Sequence, residues 1–138
     1  MMLNKIFIDT GAYLARFHKR DRRHEDSVKI WDIIKANSSI KTYTTNHVID
    51  ELATLLARRT NYEFSGTKLR EIYKSKYPII IRPGNEDEKE SIKIFNKYSD
   101  HQISFTDCLS FVVMKRLEIT QVFTFDKHFQ YAGFTIVP

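Results

Sequence analysis

Cysteine, proline and glycine are scarce in this 138-residue chain, which contains one cysteine, three prolines and four glycines. The single cysteine, Cys108, excludes an internal disulfide framework and a zinc site built from thiolates. Few breakers and a hydrophobic fraction of 42% are typical of one compact core. We therefore expect a single domain over residues 1–138.

Long apolar runs are also absent, and none approaches the roughly 20 residues that a membrane span needs. Asp9 ends the first apolar run, residues 6–8, before the core of a signal peptide could form. No Gly-rich phosphate loop, G-x-S-x-G elbow or zinc-type histidine spacing occurs. The sequence thus favours a cytoplasmic protein and disfavours a kinase, a dehydrogenase, a serine hydrolase or a zinc enzyme.

Strand and helix patterns alternate along the chain. Short apolar or β-branched runs predict strands at residues 5–8, 41–44, 79–81, 122–125 and 134–137. Helical spacing predicts helices at residues 10–19, around 28–34, and at 46–59, 66–76, 86–98 and 104–117. This order predicts an α/β fold with a mainly parallel sheet of about five strands, covered by helices on both faces.

The helical patterns also predict which side chains face the core. Residues 104–117 are apolar around most of the circumference, so this helix is expected to be buried on several sides. Ile92, Ile94 and Phe95 are expected to face inward from the helix at residues 86–98. Ile30 and Ile33 are expected to do the same from the second helix.

Four acids are candidates for function, and three of them lie at or just beyond strand ends or helix starts, near the edge where parallel sheets collect functional groups. Asp9 and Asp126 follow predicted strands, Asp107 lies in the first turn of the buried helix, and Glu51 lies at the edge of an apolar helix stripe. Asp50, beside Glu51, is expected to be solvated. Each aspartate has a structural alternative, because Asp9 and Asp126 could cap helices and Asp107 could complete a capping box with Ser104.

Together the four acids form an all-oxygen set that suits one or two Mg²⁺ or Mn²⁺ ions. Such ions would activate water and neutralise charge on a scissile phosphate. Thr10, Thr106 and Thr124 adjoin the acids in sequence and could orient the carboxylates.

Four blocks of sequence resemble the PIN-domain nucleases, and most closely the VapC-like toxins of bacterial and archaeal toxin–antitoxin pairs. The blocks are residues 6–10, residues 44–46 leading to Glu51, residues 104–107, and residues 124–126 followed by Phe129, Gly133 and Phe134. The resemblance implies a three-layer α/β/α fold, cleavage of RNA, a homodimer and a cognate antitoxin whose tail blocks the site. Asp9, Glu51, Asp107 and Asp126 take the catalytic and metal-binding roles. Many relatives carry a further acid shortly after the position of Asp126, where this chain has Lys127 and His128, which leaves the number of metals open.

A basic segment could hold the phosphates of RNA. The chain carries a formal net charge of +5, and sequence-independent affinity for nucleic acid comes from lysine and arginine. The candidates are Arg16, Lys19, Arg20, Arg22 and Arg23. A solvated charged loop is the alternative.

Two other functions compete with the nuclease. A phosphate-transfer or receiver-like module also places an acid after its first strand, but Gly11 stands where an Asp-x-Asp signature needs its second acid, and Glu51 would have no role. A non-catalytic PIN-like scaffold would bind RNA or protein without needing the four acids.

Overall fold

A computed structural model of the protein describes residues 4–138 and contains one five-stranded sheet. The strands are β1 (Lys5–Ile8), β2 (Lys41–Thr45), β3 (Ile79–Ile81), β4 (Gln121–Phe123) and β5 (Thr135–Val137). Their order across the sheet is β3-β2-β1-β4-β5, and every neighbouring pair is parallel. The predicted parallel sheet of five strands is confirmed.

Helices connect the strands and cover the sheet in a three-layer α/β/α arrangement. They are α1 (Thr10–Phe17), α2 (His24–Ala36), α3 (Asn46–Arg59), α4 (Tyr62–Lys74), α5 (Asn85–Lys97), α6 (Phe105–Arg116) and α7 (His128–Tyr131). No helix within residues 4–138 is long and apolar enough to cross a membrane.

The centre of the sheet is the centre of the core. Ile6, Phe7 and Ile8 of β1 are completely buried, because β1 lies between β2 and β4 and is covered on both faces. Helix α6 is buried around most of its circumference, as predicted, and Cys108 packs within it as a small apolar side chain. The rigid centre therefore carries both Asp9, which follows β1, and Asp107, which lies in α6.

Two helix predictions were wrong in part: Ile94 of α5 and Ile30 of α2 pack against the core, but their predicted companions do not. Ile92 and Phe95 of α5 are 51% and 44% exposed, and Ile33 of α2 is 54% exposed. In α5 the inward positions are instead occupied by Asp87 and Ser91. A polar contact between α5 and α6 sets the rotation of α5. The spacing of apolar residues along one helix does not predict such a contact.

Several boundaries differ from the prediction by one to four residues, and two of them are informative. Helix α4 begins at Tyr62 rather than at residue 66, because the Asn61 side chain accepts a hydrogen bond from the Phe64 N–H at 2.7 Å and caps the helix. Strand β4 ends at Phe123, so Phe125 lies beyond the ladder. Asp126 consequently follows the strand by a short turn.

Candidate active site

The four predicted acids line one open pocket at the carboxyl edge of the sheet. The pocket has a volume of about 360 Å³ and contains Asp9, Glu51, Asp107 and Asp126 in its walls. Asp9 is 4% exposed and Asp107 is 6% exposed. Acids from β1, α3, α6 and the segment after β4, far apart in sequence, thus meet in one place.

Two hydrogen bonds position Asp9, one from its backbone to the neighbouring strand and one from a threonine to its side chain. Its backbone N–H donates to the Phe123 carbonyl at 3.1 Å, which ties the end of β1 to β4. Thr124 donates its hydroxyl to Asp9 Oδ2 at 2.7 Å, whereas Oδ1 is buried without a hydrogen-bond partner among the residues described. Asp9 occupies the N-cap position of α1, yet its side chain makes no cap bond. The capping alternative therefore does not explain this carboxylate.

Asp126 and Asp9 are linked through the same threonine. The Asp126 N–H donates to Thr124 Oγ1 at 3.0 Å, so this hydroxyl accepts from one acid's backbone and donates to the other acid's side chain. Asp126 Oδ1 also accepts from the His128 N–H at 2.9 Å. Asp126 does cap the short turn into α7, as the structural alternative supposed, and it lines the pocket as well.

Asp107 also combines a capping position with a place in the pocket. Its N–H donates to the Ser104 hydroxyl at 3.1 Å, which begins α6. Its carboxylate lies in the pocket with the other acids. The local capping geometry therefore positions this side chain without excluding a functional role.

Glu51 reaches the pocket from α3, whose start is fixed by two threonines. Thr45 accepts from the Val48 N–H at 3.1 Å and caps α3, while Thr44 donates to the Ile8 carbonyl at 2.8 Å. These bonds anchor the beginning of α3 beside β1. Asp50 is exposed, as expected.

The surroundings of the buried acids disfavour the charged forms of their carboxyl groups. Burial raises the pKa of Asp9 to about 7, although hydrogen bonds from Thr124 and from the Thr10 backbone favour its charged form. Burial, with repulsion from the other three acids, raises the pKa of Asp107 to about 9. Within residues 4–138, neither acid has a lysine or arginine at salt-bridge distance. No lysine or arginine of the described residues therefore stabilises the charged forms of these two acids, and a bound metal cation would do so.

Comparison with known proteins decides the family. Residues 6–134 match the PIN domain family. The chain belongs to this family. The PIN-domain prediction made from the four sequence blocks is therefore confirmed.

The relatives of this PIN domain include named nucleases. It is 29% identical over 132 residues to the 23S rRNA-specific endonuclease VapC20 of Mycobacterium tuberculosis, covering 96% of this chain and 97% of that one. It is 28% identical over 124 residues to a VapC ribonuclease of Archaeoglobus fulgidus, covering 88% and 77%. The crystal structure of VapC20, described as a sarcin–ricin loop cleaving toxin, superposes with a TM-score of 0.85 at 27% identity, covering 94% of this chain and 96% of that one.

The donor set of this PIN domain fits a hard divalent cation. Carboxylate oxygens are the ligands that Mg²⁺ and Mn²⁺ prefer. The unpartnered Oδ1 of Asp9 is an available donor, and the uncompensated charge at Asp9 and Asp107 would be relieved by a bound dication. The residues present are consistent with the metal site that the acids predict.

His128 joins this cluster, although the sequence analysis did not select it. Ligand atoms of Asp107, Asp126 and His128 all lie within 4.8 Å of one another. The histidine spacing along the sequence gave no metal signal, because the companions of His128 are aspartates on other elements. Its position two residues after Asp126, at the start of α7, was the available clue.

The predicted threonines do not all contact the acids. Thr124 does so, as described. The Thr10 hydroxyl is buried without a hydrogen-bond partner among residues 4–138. Thr106 lies outside the pocket lining, and its carbonyl accepts from Ser110 at 3.1 Å. Side-chain direction, which adjacency in sequence does not give, separates the three.

The basic candidates divide between two places. The Arg23 guanidinium lies 4.9 Å from the centre of the Phe125 ring, and Phe125 lines the acidic pocket. Lys19, Arg20 and Arg22 are exposed on the segment before α2. Arg16 instead lies over the Trp31 ring at 4.7 Å and lines a separate cavity of about 520 Å³ that shares no lining residue with the acidic pocket. Arg16 thus lies apart from Arg23, and its contact with RNA stays a prediction.

Proposed function

We propose that this PIN domain is a metal-dependent endoribonuclease, with Asp9, Glu51, Asp107 and Asp126 as its catalytic and metal-binding residues. One observation carries the proposal: two of these acids are buried without an internal cation in an open pocket. A bound cation would reduce the repulsion between these acids and so stabilise the folded protein. The nuclease names of the VapC relatives support the same activity.

The four acids fall into two pairs in the proposed reaction. Mg²⁺ or Mn²⁺, as one or two ions, supplies an activated water and positive charge for the phosphate that is cleaved. Asp9 and Asp107 form the buried floor that holds the cation. Thr124 fixes the orientation of Asp9 through its 2.7 Å hydrogen bond. Asp126 and Glu51, which are more exposed, complete the ligand set at the rim that RNA approaches.

The RNA phosphates are held by the basic segment at residues 19–23. Arg23 lies over the ring of Phe125, a residue that lines the acidic pocket, so this contact connects the segment with the pocket wall. Lys19, Arg20 and Arg22 extend the positive surface. These side chains neutralise the RNA backbone and carry no sequence preference of their own.

The biological context that we propose is a cytoplasmic toxin–antitoxin pair. The VapC names, and the description of the VapC20 structure as a toxin, support this role. A homodimer and an antitoxin whose tail covers the acidic pocket complete the proposal. Expression of the wild type without an antitoxin is expected to arrest growth, while Asp107→Asn is expected to grow normally; normal growth of cells that make soluble wild type contradicts toxicity, not nuclease chemistry.

Cleavage of labelled RNA tests the enzyme activity directly. The purified protein is incubated with Mg²⁺, with Mn²⁺ or with EDTA, on a panel that includes 23S rRNA and a sarcin–ricin stem-loop. Glu51→Gln is compared with Asp50→Asn, which changes the exposed neighbouring acid. We expect cutting that needs the metal, is lost in Glu51→Gln and persists in Asp50→Asn.

Two outcomes would point to the competing functions. Folded protein that binds the RNA panel without cutting it would indicate a non-catalytic scaffold. Incubation with acetyl phosphate, followed by intact mass, would reveal a covalent adduct on Asp9 if the protein were a phosphate-transfer module. We expect no adduct.

A further inference from the structure

His128 places a ring nitrogen inside the acidic pocket. Its backbone N–H donates to Asp126 Oδ1 at 2.9 Å, which fixes the start of α7 against this acid. The ring nitrogen Nδ1 then lies 3.2 Å from Asp126 Oδ1 and 3.9 Å from Asp107 Oδ2. This atom is buried and has no hydrogen-bond partner among residues 4–138.

These separations suit atoms that share one cation. Ligands bound at about 2.0–2.2 Å lie roughly 3 Å apart when they meet the ion at right angles, and farther apart at wider angles. A simple His–Asp hydrogen bond would direct an N–H at the carboxylate, but Nδ1 does not have that geometry. Nδ1 thus lies close to both acids without a hydrogen bond to either of them.

A second observation points to a cation in the same pocket. Asp9 Oδ1 is also buried without a partner, and the Asp9 side chain is almost completely inaccessible. Both unpartnered atoms belong to residues that line the one acidic pocket. An ion placed there would satisfy an oxygen and a nitrogen that the protein itself leaves unsatisfied.

We propose that His128 Nδ1 is a direct metal ligand together with Asp107 and Asp126, giving a mixed nitrogen and oxygen site that selects Mn²⁺ over Mg²⁺. The inference rests on the proposed function, since it concerns the same metal site. Imidazole binds first-row transition metals well, whereas Mg²⁺ prefers oxygen ligands and keeps its waters. The histidine therefore decides which ion is bound.

The test uses Mn²⁺ alone as the probe of the full chain. Electron spin echo envelope modulation of bound Mn²⁺ detects ¹⁴N coupling when an imidazole is a ligand. We expect this coupling in the wild type and in His101→Gln, which changes an exposed histidine outside the pocket lining. His128→Asn puts an amide oxygen near the position of Nδ1, so Mn²⁺ should still bind while the ¹⁴N coupling disappears.

Calorimetric titration measures the selectivity. The ratio of Mn²⁺ to Mg²⁺ affinity is expected to fall by about tenfold in His128→Asn and to stay constant in His101→Gln. If His128→Asn does not fold, wild type made with ¹⁵N-histidine gives the answer, because the isotope must then change the modulation frequency. Among the described histidines, only His128 lines the pocket.

The outcomes separate this inference from the proposed function. Mn²⁺ binding without nitrogen coupling overturns the role of His128 and leaves the carboxylate site standing. Coupling that persists in His128→Asn also overturns it. Failure of the wild type to bind Mn²⁺ overturns both the ligand role and the metal dependence of the proposed nuclease.

Discussion

Two aspartates of similarly low solvent exposure lie at the two ends of α6, in opposite electrostatic surroundings. Asp107, in the first turn, is 6% exposed, and Asp87, packed from α5 against the last turn, is 8% exposed. Asp87 accepts two hydrogen bonds of 2.9 Å from Arg116 and one of 3.1 Å from the Gly84 N–H. Burial raises the pKa of Asp87, but these bonds and the Arg116 charge outweigh it and lower the pKa overall.

Asp107 has no such partner among residues 4–138, and its pKa is raised to about 9. Burial raises the pKa of both acids, and the opposite overall shifts reflect the Arg116 guanidinium beside Asp87 and the repulsion from the other three acids at Asp107. Asp87 holds α5 on α6 at the expense of the apolar face that the sequence predicted. Asp107, which has no lysine or arginine at salt-bridge distance among residues 4–138, is one of the acids that we propose as metal ligands.

The largest expected effect comes from neutralising each aspartate in turn. Asp107→Asn should lower RNA cleavage by roughly two to four orders of magnitude while the protein remains folded, because it removes a group at the reacting centre. Asp87→Asn should keep its specific activity but melt at a lower temperature. Cleavage rates and thermal melts of both variants check this. An active Asp107→Asn variant would contradict the proposed role of Asp107 in cleavage.

The contribution to stability should change with pH in opposite directions for the acids of the pocket and for Asp87. Raised folded-state pKa values mean that the folded metal-free protein holds protons on Asp9 and Asp107 that the unfolded chain has released above about pH 4. That contribution to the free energy of unfolding is therefore full below about pH 4 and is lost as pH rises toward about 7 for Asp9 and about 9 for Asp107. Asp87 behaves oppositely, and its contribution is lost on acidification below its ordinary range.

Denaturant unfolding in EDTA across this pH range measures the difference. The stability of the wild type relative to Asp107→Asn should decline steadily as pH rises. A constant difference between the two proteins would mean that Asp107 is not protonated preferentially in the folded state.

Removing the Arg116 guanidinium should leave Asp87, like Asp107, as a buried acid without a lysine or arginine partner among the described residues. Arg116→Met leaves the buried Asp87 carboxylate without its main partner, and we expect a loss of about 1–3 kcal/mol in the free energy of unfolding. Lys115→Met, at the exposed neighbouring position, is the matched control and should cost little. Cleavage should be unchanged in both; equal stability of the two variants would show that the Asp87–Arg116 pair is not what holds α5.

The smallest effect concerns the threonine that orients Asp9. Thr124→Val removes the 2.7 Å hydrogen bond at nearly constant volume and should reduce cleavage by about tenfold. Thr124→Ser keeps a hydroxyl and should restore most of the rate. The two rates, measured at saturating metal, check this; a fully active Thr124→Val would show that Asp9 needs no orientation by a hydroxyl.

The sequence predicted the sheet and the four acids because both depend on local signals. Strand and helix periods alternate along the chain, and the carboxyl ends of parallel strands converge whatever the details of packing. The face of α5 could not be predicted, since Asp87 meets Arg116 across 29 residues of sequence. The positions of His128 in the acidic pocket and of Arg16 over Trp31 could not be predicted for a related reason, since each depends on the direction of one side chain.

The melting temperature of wild type and Asp107→Asn, with and without Mg²⁺ or Mn²⁺ at about pH 8, tests the central claim most directly. The account predicts that the metal raises the melting temperature of the wild type, and that Asp107→Asn is more stable than the wild type in EDTA but responds weakly to metal. A wild type that ignores both ions, or an Asp107→Asn variant that melts lower and still responds fully, would contradict it.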